Sequence, residues 1–203
     1  VDKLLTQDKL NEILRDYPDR KCKVHLLHGY MTLEEMNGLY QNSKIKCMVS
    51  LAHGEGFGLP IFEAAYNGVL VVAPNWSGHL DFLVAPRKVK RKGKSVKKTL
   101  PCFLPVDYDL SPIQPEAVWD GVLDENAMWS YAKEVSYKKK IRDAVVNYRR
   151  HVKMANALQK HIKENFSEDG MYKNFVDLVS TEFSFTSDQR EIDDMFASLM
   201  SGE

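Results

Sequence analysis

Residues 45–74 have the sequence IKCMVSLAHGEGFGLPIFEAAYNGVLVVAP. The first seven of them form an apolar, β-branched run of strand length. A loop with three glycines follows, and Pro60 then opens a short helix, where its missing N–H costs nothing. Gly68 suits a left-handed cap that ends the helix, and residues 69–73 form a second strand of the buried type. This order predicts two parallel strands joined by a crossover helix.

The glycine loop, residues 52–59, has the composition of a phosphate-binding loop. Glycines allow backbone N–H groups to approach a ligand closely, and a helix N-terminus adds unpaired N–H groups and a partial positive charge. Glu55 and Glu63 flank this site. Because carboxylates repel phosphate, we expect these two to accept hydrogen bonds from neutral hydroxyls such as those of a sugar.

The segment from Glu55 to Ala64 resembles the E-x7-E motif of retaining glycosyltransferases with the GT-B fold (family 4, or group 1). Residues 75–82, NWSGHLDF, resemble the glycine loop that follows the next strand in that family. The resemblance covers about residues 23–83 and weakens through the later helices. Two alternatives are a tight turn in an ordinary α/β sheet and a dinucleotide-binding loop, although Leu59 stands where the latter needs its third small residue.

The resemblance implies a role for each residue of the site. Glu55 would be the catalytic residue that holds the transferred sugar, and Glu63 would hold the donor ribose. Loop amides would face the sugar and the diphosphate, and an upstream loop would line the base pocket. The predicted donor-binding residues are Gly56, Phe57, Gly58, Leu59, Glu63, Tyr30, Met31, Ser77 and Gly78. Neither a metal nor a cofactor is expected, since amides and the helix dipole can stabilise the leaving diphosphate.

The predicted fold is α/β, with a doubly wound, mostly parallel, Rossmann-like sheet and a helical C-terminal extension. We expect a nucleotide-sugar-binding domain over residues 1–115, its helical part over 116–182 and a tail helix over 183–203. The resemblance implies an acceptor domain before residue 1, and no basic residue here matches the diphosphate clamp of the family. We therefore expect this chain alone to be an inactive fragment of a transferase. A non-catalytic nucleotide-sugar-binding or scaffold module is the alternative.

Local patterns predict the remaining elements. The chain opens with an amphipathic helix, and Thr32 with Glu35 forms a capping box for the next one. A strand over residues 23–28 places His25 and His28 on opposite faces, which does not suit a metal pair. A further strand is predicted over residues 99–106, and helices over residues 116–123, 127–133, 136–165 and 168–180.

Asp107 and Asp109 follow a predicted strand and match the metal–diphosphate motif of the other glycosyltransferase fold, GT-A. A pattern of three residues with common acids arises often by chance. The GT-A assignment would also leave the E-x7-E match as an accident, so the GT-B assignment is preferred.

Residues 87–98, RKVKRKGKSVKK, contain eight basic residues and no acid. The favoured interpretation is a solvated, mobile loop. The alternative is a patch that binds a phosphate-rich acceptor, anionic lipid or nucleic acid. The absence of aromatic residues in this segment weakens the case for nucleic acid.

Composition excludes several classes of protein. The 203 residues carry 28 basic and 28 acidic side chains, so the net charge implies no general attraction to nucleic acid or membrane. No apolar run in the sequence has the length of a membrane span. Three widely spaced cysteines suggest buried, reduced thiols in a cytoplasmic protein.

The tail helix predicted near the C-terminus carries one apolar stripe, with residues at i, i+3, i+4, i+7 and i+8. Such a short helix needs packing to be ordered. It could fold onto its own domain, cover a neighbouring copy in a homodimer, or remain a disordered tail. The stripe consists of Ile192, Met195, Phe196, Leu199 and Met200.

Overall fold

The computed structural model describes residues 2–91 and 94–182. The predicted tail helix, and the homodimer that would use it, lie outside these residues. The chain divides between Leu39 and Tyr40 into two compact units. The predicted division at residue 115 stays a prediction.

The described residues contain seven α-helices and seven β-strands. The helices are α1 (Asp2–Arg15), α2 (Leu33–Gln41), α3 (Leu59–Tyr66), α4 (Leu80–Leu83), α5 (Glu134–Val146), α6 (Tyr148–Asn165) and α7 (Glu168–Glu182). The strands are β1 (Cys47–Val49), β2 (Leu70–Pro74), β3 (Val84–Arg91), β4 (Lys94–Pro101), β5 (Leu104–Val106), β6 (Tyr108–Pro112) and β7 (Met128–Ala132).

The first unit contains α1 and most of α2. The predicted capping box is confirmed, because the Thr32 N–H donates to the Glu35 carboxylate (2.8 Å) and the Glu35 N–H donates to the Thr32 hydroxyl (3.2 Å). The strand predicted over residues 23–28 is wrong, since the described structure gives this segment no strand pairing. A short apolar run forms a strand only where a neighbouring strand completes its ladder.

The second unit is built on a parallel sheet with the strand order β1-β2-β5. The register aligns Val49 with Val72 and Val72 with Leu104. The predicted parallel pairing of the two strands around the glycine loop is therefore confirmed. Because all three strands run in one direction, the loops that follow them meet at one edge of the sheet, where ligands of such sheets bind.

Helices cover both faces of this sheet. Along β2, Val71 and Ala73 pack with α3, α4 and the C-terminal half of α6. The alternate residues Leu70 and Val72 pack with α5 and the N-terminal half of α6. Side chains of a strand alternate between its faces, so each set belongs to one side of the sheet. The chain thus has the predicted doubly wound α/β fold.

Two helices predicted in the C-terminal half are wrong. Residues 127–133 contain β7, which pairs antiparallel with β6. Trp and Tyr in that segment favour strands, and the partner strand lies too far along the chain for a local pattern to show it. Residues 116–123 contain a short 3-10 helix (Pro115–Ala117) and a loop in which Trp119 and Leu123 form an isolated bridge around Gly121, which has a φ of 71°.

The single helix predicted over residues 136–165 is two helices, α5 and α6, that meet at Asn147. The Asn147 N–H donates to the Asp143 carbonyl (2.9 Å), and its side-chain amide donates to the Asp143 carboxylate (2.6 Å). The bond from the Asn147 side chain, and then the bond from the His151 ring, lower the pKa of the Asp143 carboxylate. Asn and Asp side chains compete with helical hydrogen bonds in this way, and they end helices.

The basic segment is a hairpin rather than the mobile loop that the sequence favoured. Strands β3 and β4 pair antiparallel from Val84 with Pro101 to Arg91 with Lys94. The high charge and the lack of large apolar residues favoured a loop. The core holds the base of the hairpin, however, because Ala85 of β3 is buried there.

Two further findings concern the membrane and the cysteines. No helix in the described part of the chain combines the length and apolar character that a membrane span requires. Cys102 is buried and Cys47 is half-buried, whereas Cys22 is exposed, contrary to the expectation for three buried thiols. Burial raises the pKa of the Cys47 thiol to about 11.

The role of α6 in closing the core can be tested with two leucines. Leu158 of α6 is 1% exposed, and Leu178 of α7 is 63% exposed. We expect Leu158→Ala to lower the free energy of unfolding by about 2–5 kcal/mol, because it leaves a cavity. The matched variant Leu178→Ala should cost less than about 0.5 kcal/mol. Urea unfolding measures both, and equal losses would contradict this packing.

Candidate functional site

The glycine loop runs from the end of β1 to the start of α3, at the carboxyl edge of the parallel sheet. Gly58 is the N-cap of α3, with φ 86° and ψ 53°. This left-handed conformation suits glycine, because a Cβ would be strained there. The Phe62 N–H donates to the Gly58 carbonyl (2.9 Å) and starts the helix, in which Pro60 is the second residue.

A second loop, which follows β2, holds the glycine loop by its backbone. The Glu55 N–H donates to the Ser77 hydroxyl (2.8 Å), and that hydroxyl donates to the Glu55 carbonyl (2.6 Å). The Gly78 N–H donates to the same carbonyl (3.1 Å). Ser77 has a φ of 86°, which disfavours any residue but glycine, and these bonds offset that cost.

The two loops also approach each other too closely for a side chain at Gly78. A Cβ on Gly78 would lie 1.8 Å from the Gly56 carbonyl oxygen and 3.0 Å from that of Glu55. At Gly58, a Cβ would lie 3.2 Å from the His79 Cβ and 3.5 Å from the Glu55 Cβ. The second of these distances at Gly58 places the Glu55 side chain beside the N-cap of α3.

Three consecutive amides at the end of the glycine loop lack a protein acceptor among the described residues. In the described part of the chain, the N–H groups of Gly56, Phe57 and Gly58 donate to no protein acceptor. The Phe57 ring is fixed against Phe62 and Phe82, with centroids 5.3 and 5.0 Å away. Three consecutive donors next to the positive end of a helix can bind a phosphate group.

The second carboxylate of the motif belongs to α3. Glu63 is half-buried and is the fifth residue of that helix. Burial, and then the charge of Glu63, raise the pKa of Tyr40, whose hydroxyl donates to the Pro60 carbonyl (3.3 Å). Glu55 thus lies beside the N-cap of α3, and Glu63 lies on the same helix. Their roles at the site stay predictions.

The sequence analysis missed a third support of the glycine loop, which comes from β7. His53 Nδ1–H donates to the Ser130 carbonyl (2.8 Å), and the Ser130 N–H donates to the His53 carbonyl (3.2 Å). The His53 ring stacks on Trp129, with centroids 4.8 Å apart and planes 5° apart, and it also contacts Tyr131. The alternation of Trp129, Ser130 and Tyr131 was the available signal, because it is typical of a strand.

The two segments that support the glycine loop, the loop after β2 and strand β7, each contain a buried polar side chain. His79 is 1% exposed, and its Nε2–H donates to the Pro74 carbonyl (2.8 Å). Within the described residues, His79 Nδ1 and the Ser130 hydroxyl have no protein partner. The sequence analysis assigned no role to either residue, and isolated His and Ser residues give no signal of one.

The remaining candidates are two residues of the first unit and the two aspartates of the GT-A motif. Tyr30, 92% exposed, and Met31 belong to the first unit, and their place in a base pocket stays a prediction. In the GT-A motif, Asp109 forms an ion pair with Lys133 (2.6 Å), which raises the pKa of Lys133. Among the described residues, no group of three His, Cys, Asp or Glu side chains is placed to hold a metal ion.

Two glycine variants test the close contact between the two loops. Gly78→Ala should lower the free energy of unfolding by about 2 kcal/mol or more, because the new methyl group collides with backbone atoms that cannot rotate away. Gly56→Ala should cost less than about 1 kcal/mol, since a Cβ there meets nothing within 4 Å. Thermal or urea unfolding measures both. If Gly78→Ala is as stable as Gly56→Ala, the two loops do not pack as described.

One family model matches the chain. The model of "Glycosyl transferases group 1" matches residues 19–94, which is less than half of the sequence. The matched range contains β1, the glycine loop, α3, β2 and the Ser77 loop. No curated protein and no solved structure matched the chain. The range that is similar to group 1 glycosyltransferases therefore includes both loops of the candidate site, but not β7.

Proposed function

We propose that this chain is the donor-binding domain of a group 1 glycosyltransferase with the GT-B fold. One observation supports the proposal: Glu55 lies beside the N-cap of α3, the helix that carries Glu63, and the three amides between Glu55 and that helix have no acceptor in the described part of the chain. This arrangement offers hydrogen-bond donors to a diphosphate and acceptors to sugar hydroxyls. The family match over the same residues supports the assignment.

The reaction would transfer a sugar from a nucleoside diphosphate to a hydroxyl acceptor. As the glycosidic bond breaks, negative charge grows on the leaving diphosphate. The amides of Gly56, Phe57 and Gly58 and the dipole of α3 would stabilise that charge without first having to reorganise. Retention of configuration at the sugar belongs to the proposal through the family resemblance, as does a separate acceptor-binding domain. A cytoplasmic location belongs to it through the three widely spaced cysteines.

The two glutamates would have different tasks. Glu55 would hold the transferred sugar and Glu63 the ribose. Ser77 and Gly78, which the sequence analysis placed among the donor-binding residues, would act by positioning Glu55, because both contact its backbone. The E-x7-E motif serves UDP-, GDP- and ADP-sugars alike. The choice of base and sugar would therefore depend on residues outside this motif.

Calorimetry with nucleoside diphosphates and their sugars tests the two roles separately. Glu63→Ala should weaken binding of both ligand types by about 1–3 kcal/mol, the scale of a hydrogen bond to a charged group. Glu55→Ala should weaken binding of the nucleotide sugar by a similar amount and leave the nucleoside diphosphate nearly unaffected, because only the former carries the sugar.

Glu164→Ala provides the matched control, since this glutamate is exposed on α6, outside the glycine loop and α3, with its carboxylate 3.7 Å from the Lys160 ammonium. It should bind all ligands as the wild type does. If UDP, GDP and ADP all fail to bind the wild type at about millimolar concentration, where affinity amounts to only ~4 kcal/mol, the proposal is wrong. Equal effects of Glu55→Ala on both ligand types would contradict the assignment of Glu55 to the sugar.

A further inference from the structure

The hairpin of β3 and β4 is a charged arm with a fixed base. Ala85 and Leu100 are paired at its base, and Ala85 is buried. The Cys102 N–H donates to the Leu83 carbonyl (2.8 Å), and the Arg87 guanidinium donates to the Pro101 carbonyl (3.3 Å). The core therefore sets the direction in which the rest of the hairpin extends.

Charge is distributed unevenly between this arm and the rest of the protein. The whole chain has 28 basic and 28 acidic residues, and eight of the basic ones lie in residues 87–98, which contain no acid. The remainder therefore carries 20 basic and 28 acidic residues. The net charge is zero because the positive charge of the arm balances the negative charge of the remaining residues. A segment with so much positive charge attracts a polyanion.

The cations of the arm are not neutralised within the described structure. No ion pair there involves Arg87, Lys88, Lys97 or Lys98. The register places Arg87 directly opposite Lys98, and Lys88 directly opposite Lys97. Like charges in directly opposed positions destabilise a hairpin. A dense external negative charge would remove that repulsion, so the arm gains from binding an anionic surface.

The two faces of the hairpin differ in composition. Directly paired residues share a face, and successive pairs alternate between faces. The first face, called the valine face here, carries the pairs Arg87–Lys98 and Val89–Val96. The opposite face, called the threonine face, carries the pairs Pro86–Thr99 and Lys88–Lys97. Each face thus has one cationic pair, and the valine face places a valine pair next to its own.

This combination suits an anionic lipid surface. Cations near such a surface are attracted by its charged headgroups, and small apolar side chains can enter the interface. Val96 is 41% exposed and is free to do so. Residues 84–101 contain no aromatic residue, Asn or Gln, which proteins use to stack on bases or to read them. Six of the eight cations are lysines, which act as point charges and not as bidentate phosphate ligands.

We propose that the valine face of this hairpin binds the anionic headgroups of a phospholipid membrane and holds the protein at its surface. The contact is peripheral and electrostatic, with the valine pair at the level of the headgroups. It does not depend on the donor-binding proposal, because none of the residues of the glycine loop takes part in it.

Sedimentation with vesicles tests this contact on the full chain. Wild type should sediment with vesicles of phosphatidylcholine and phosphatidylserine, and not with vesicles of phosphatidylcholine alone. Binding should fall steeply with salt, because the Debye length shrinks from about 10 Å at 0.1 M to about 3 Å at 1 M. The double variant Arg87→Gln, Lys98→Gln should weaken binding roughly 30-fold, since each cation at the surface contributes about fivefold.

The matched control removes the opposed pair on the threonine face. Lys88→Gln, Lys97→Gln changes the net charge equally but should weaken vesicle binding less than about threefold, because that face points away from the lipid. The threonine-face variant only relieves an opposed pair of like charges, so it should not lower the unfolding temperature. The valine-face variant also removes the bond from Arg87 to the Pro101 carbonyl, so its unfolding temperature is measured to show that the protein is still folded in the vesicle experiment.

Three results would overturn the proposal. Equal binding to anionic and neutral vesicles would exclude recognition of charge, and equal losses in the two double variants would exclude the valine face. Displacement of the protein from anionic vesicles by short duplex DNA at equal phosphate concentration would identify nucleic acid as the preferred partner. A failure of nucleoside diphosphates to bind would leave all of these results unchanged.

Discussion

The Ser77 hydroxyl holds Glu55 by both backbone polar groups, and the geometry of the glycine loop depends on this contact. One hydroxyl accepts from the Glu55 N–H and donates to its carbonyl, while Gly78 fits against the Gly56 carbonyl only because it has no side chain. With its backbone satisfied in this way, Glu55 can present its carboxylate beside the N-cap of α3. The N–H groups of the next three residues donate to no acceptor in the described part of the chain. A site of this kind is preorganised, because its polar groups are oriented before the ligand arrives.

The fold makes that contact possible by bringing sequence-distant loops to one edge. Parallel pairing of β1, β2 and β5 puts the glycine loop, the Ser77 loop and the start of β6 at the carboxyl ends of adjacent strands. Strand β7 then adds Ser130 and Trp129 against His53. The charged hairpin begins directly after α4, so a membrane-binding arm and a donor site would belong to the same compact unit.

Local sequence was sufficient where structure depends on neighbours in the chain. It predicted β1, α3 and β2, the left-handed Gly68 with a φ of 77°, and the capping box at Thr32. The predictions were wrong where structure depends on distant partners: His53 and Ser130 meet across 77 residues, and the segment predicted as a helix is the strand β7. The prediction of a mobile loop for the basic segment was wrong for a related reason, since core residues that the charge pattern does not reveal hold the base of the hairpin. In the candidate site, the sequence predicted that Glu55 precedes α3 and that Glu63 lies on it, whereas the support from Ser77 and His53 required the fold.

The most direct test of the account follows the backbone amide signals of Gly56, Phe57 and Gly58 by NMR as a nucleoside diphosphate is added. Each of these N–H groups should shift downfield as it donates to phosphate oxygen, with the first turn of α3 responding and the hairpin amides unchanged. The Gly78→Ala variant should lose the response, because its loop is displaced. If the ligand binds and these three amides do not shift, the glycine loop is not the phosphate site, and the central claim is wrong.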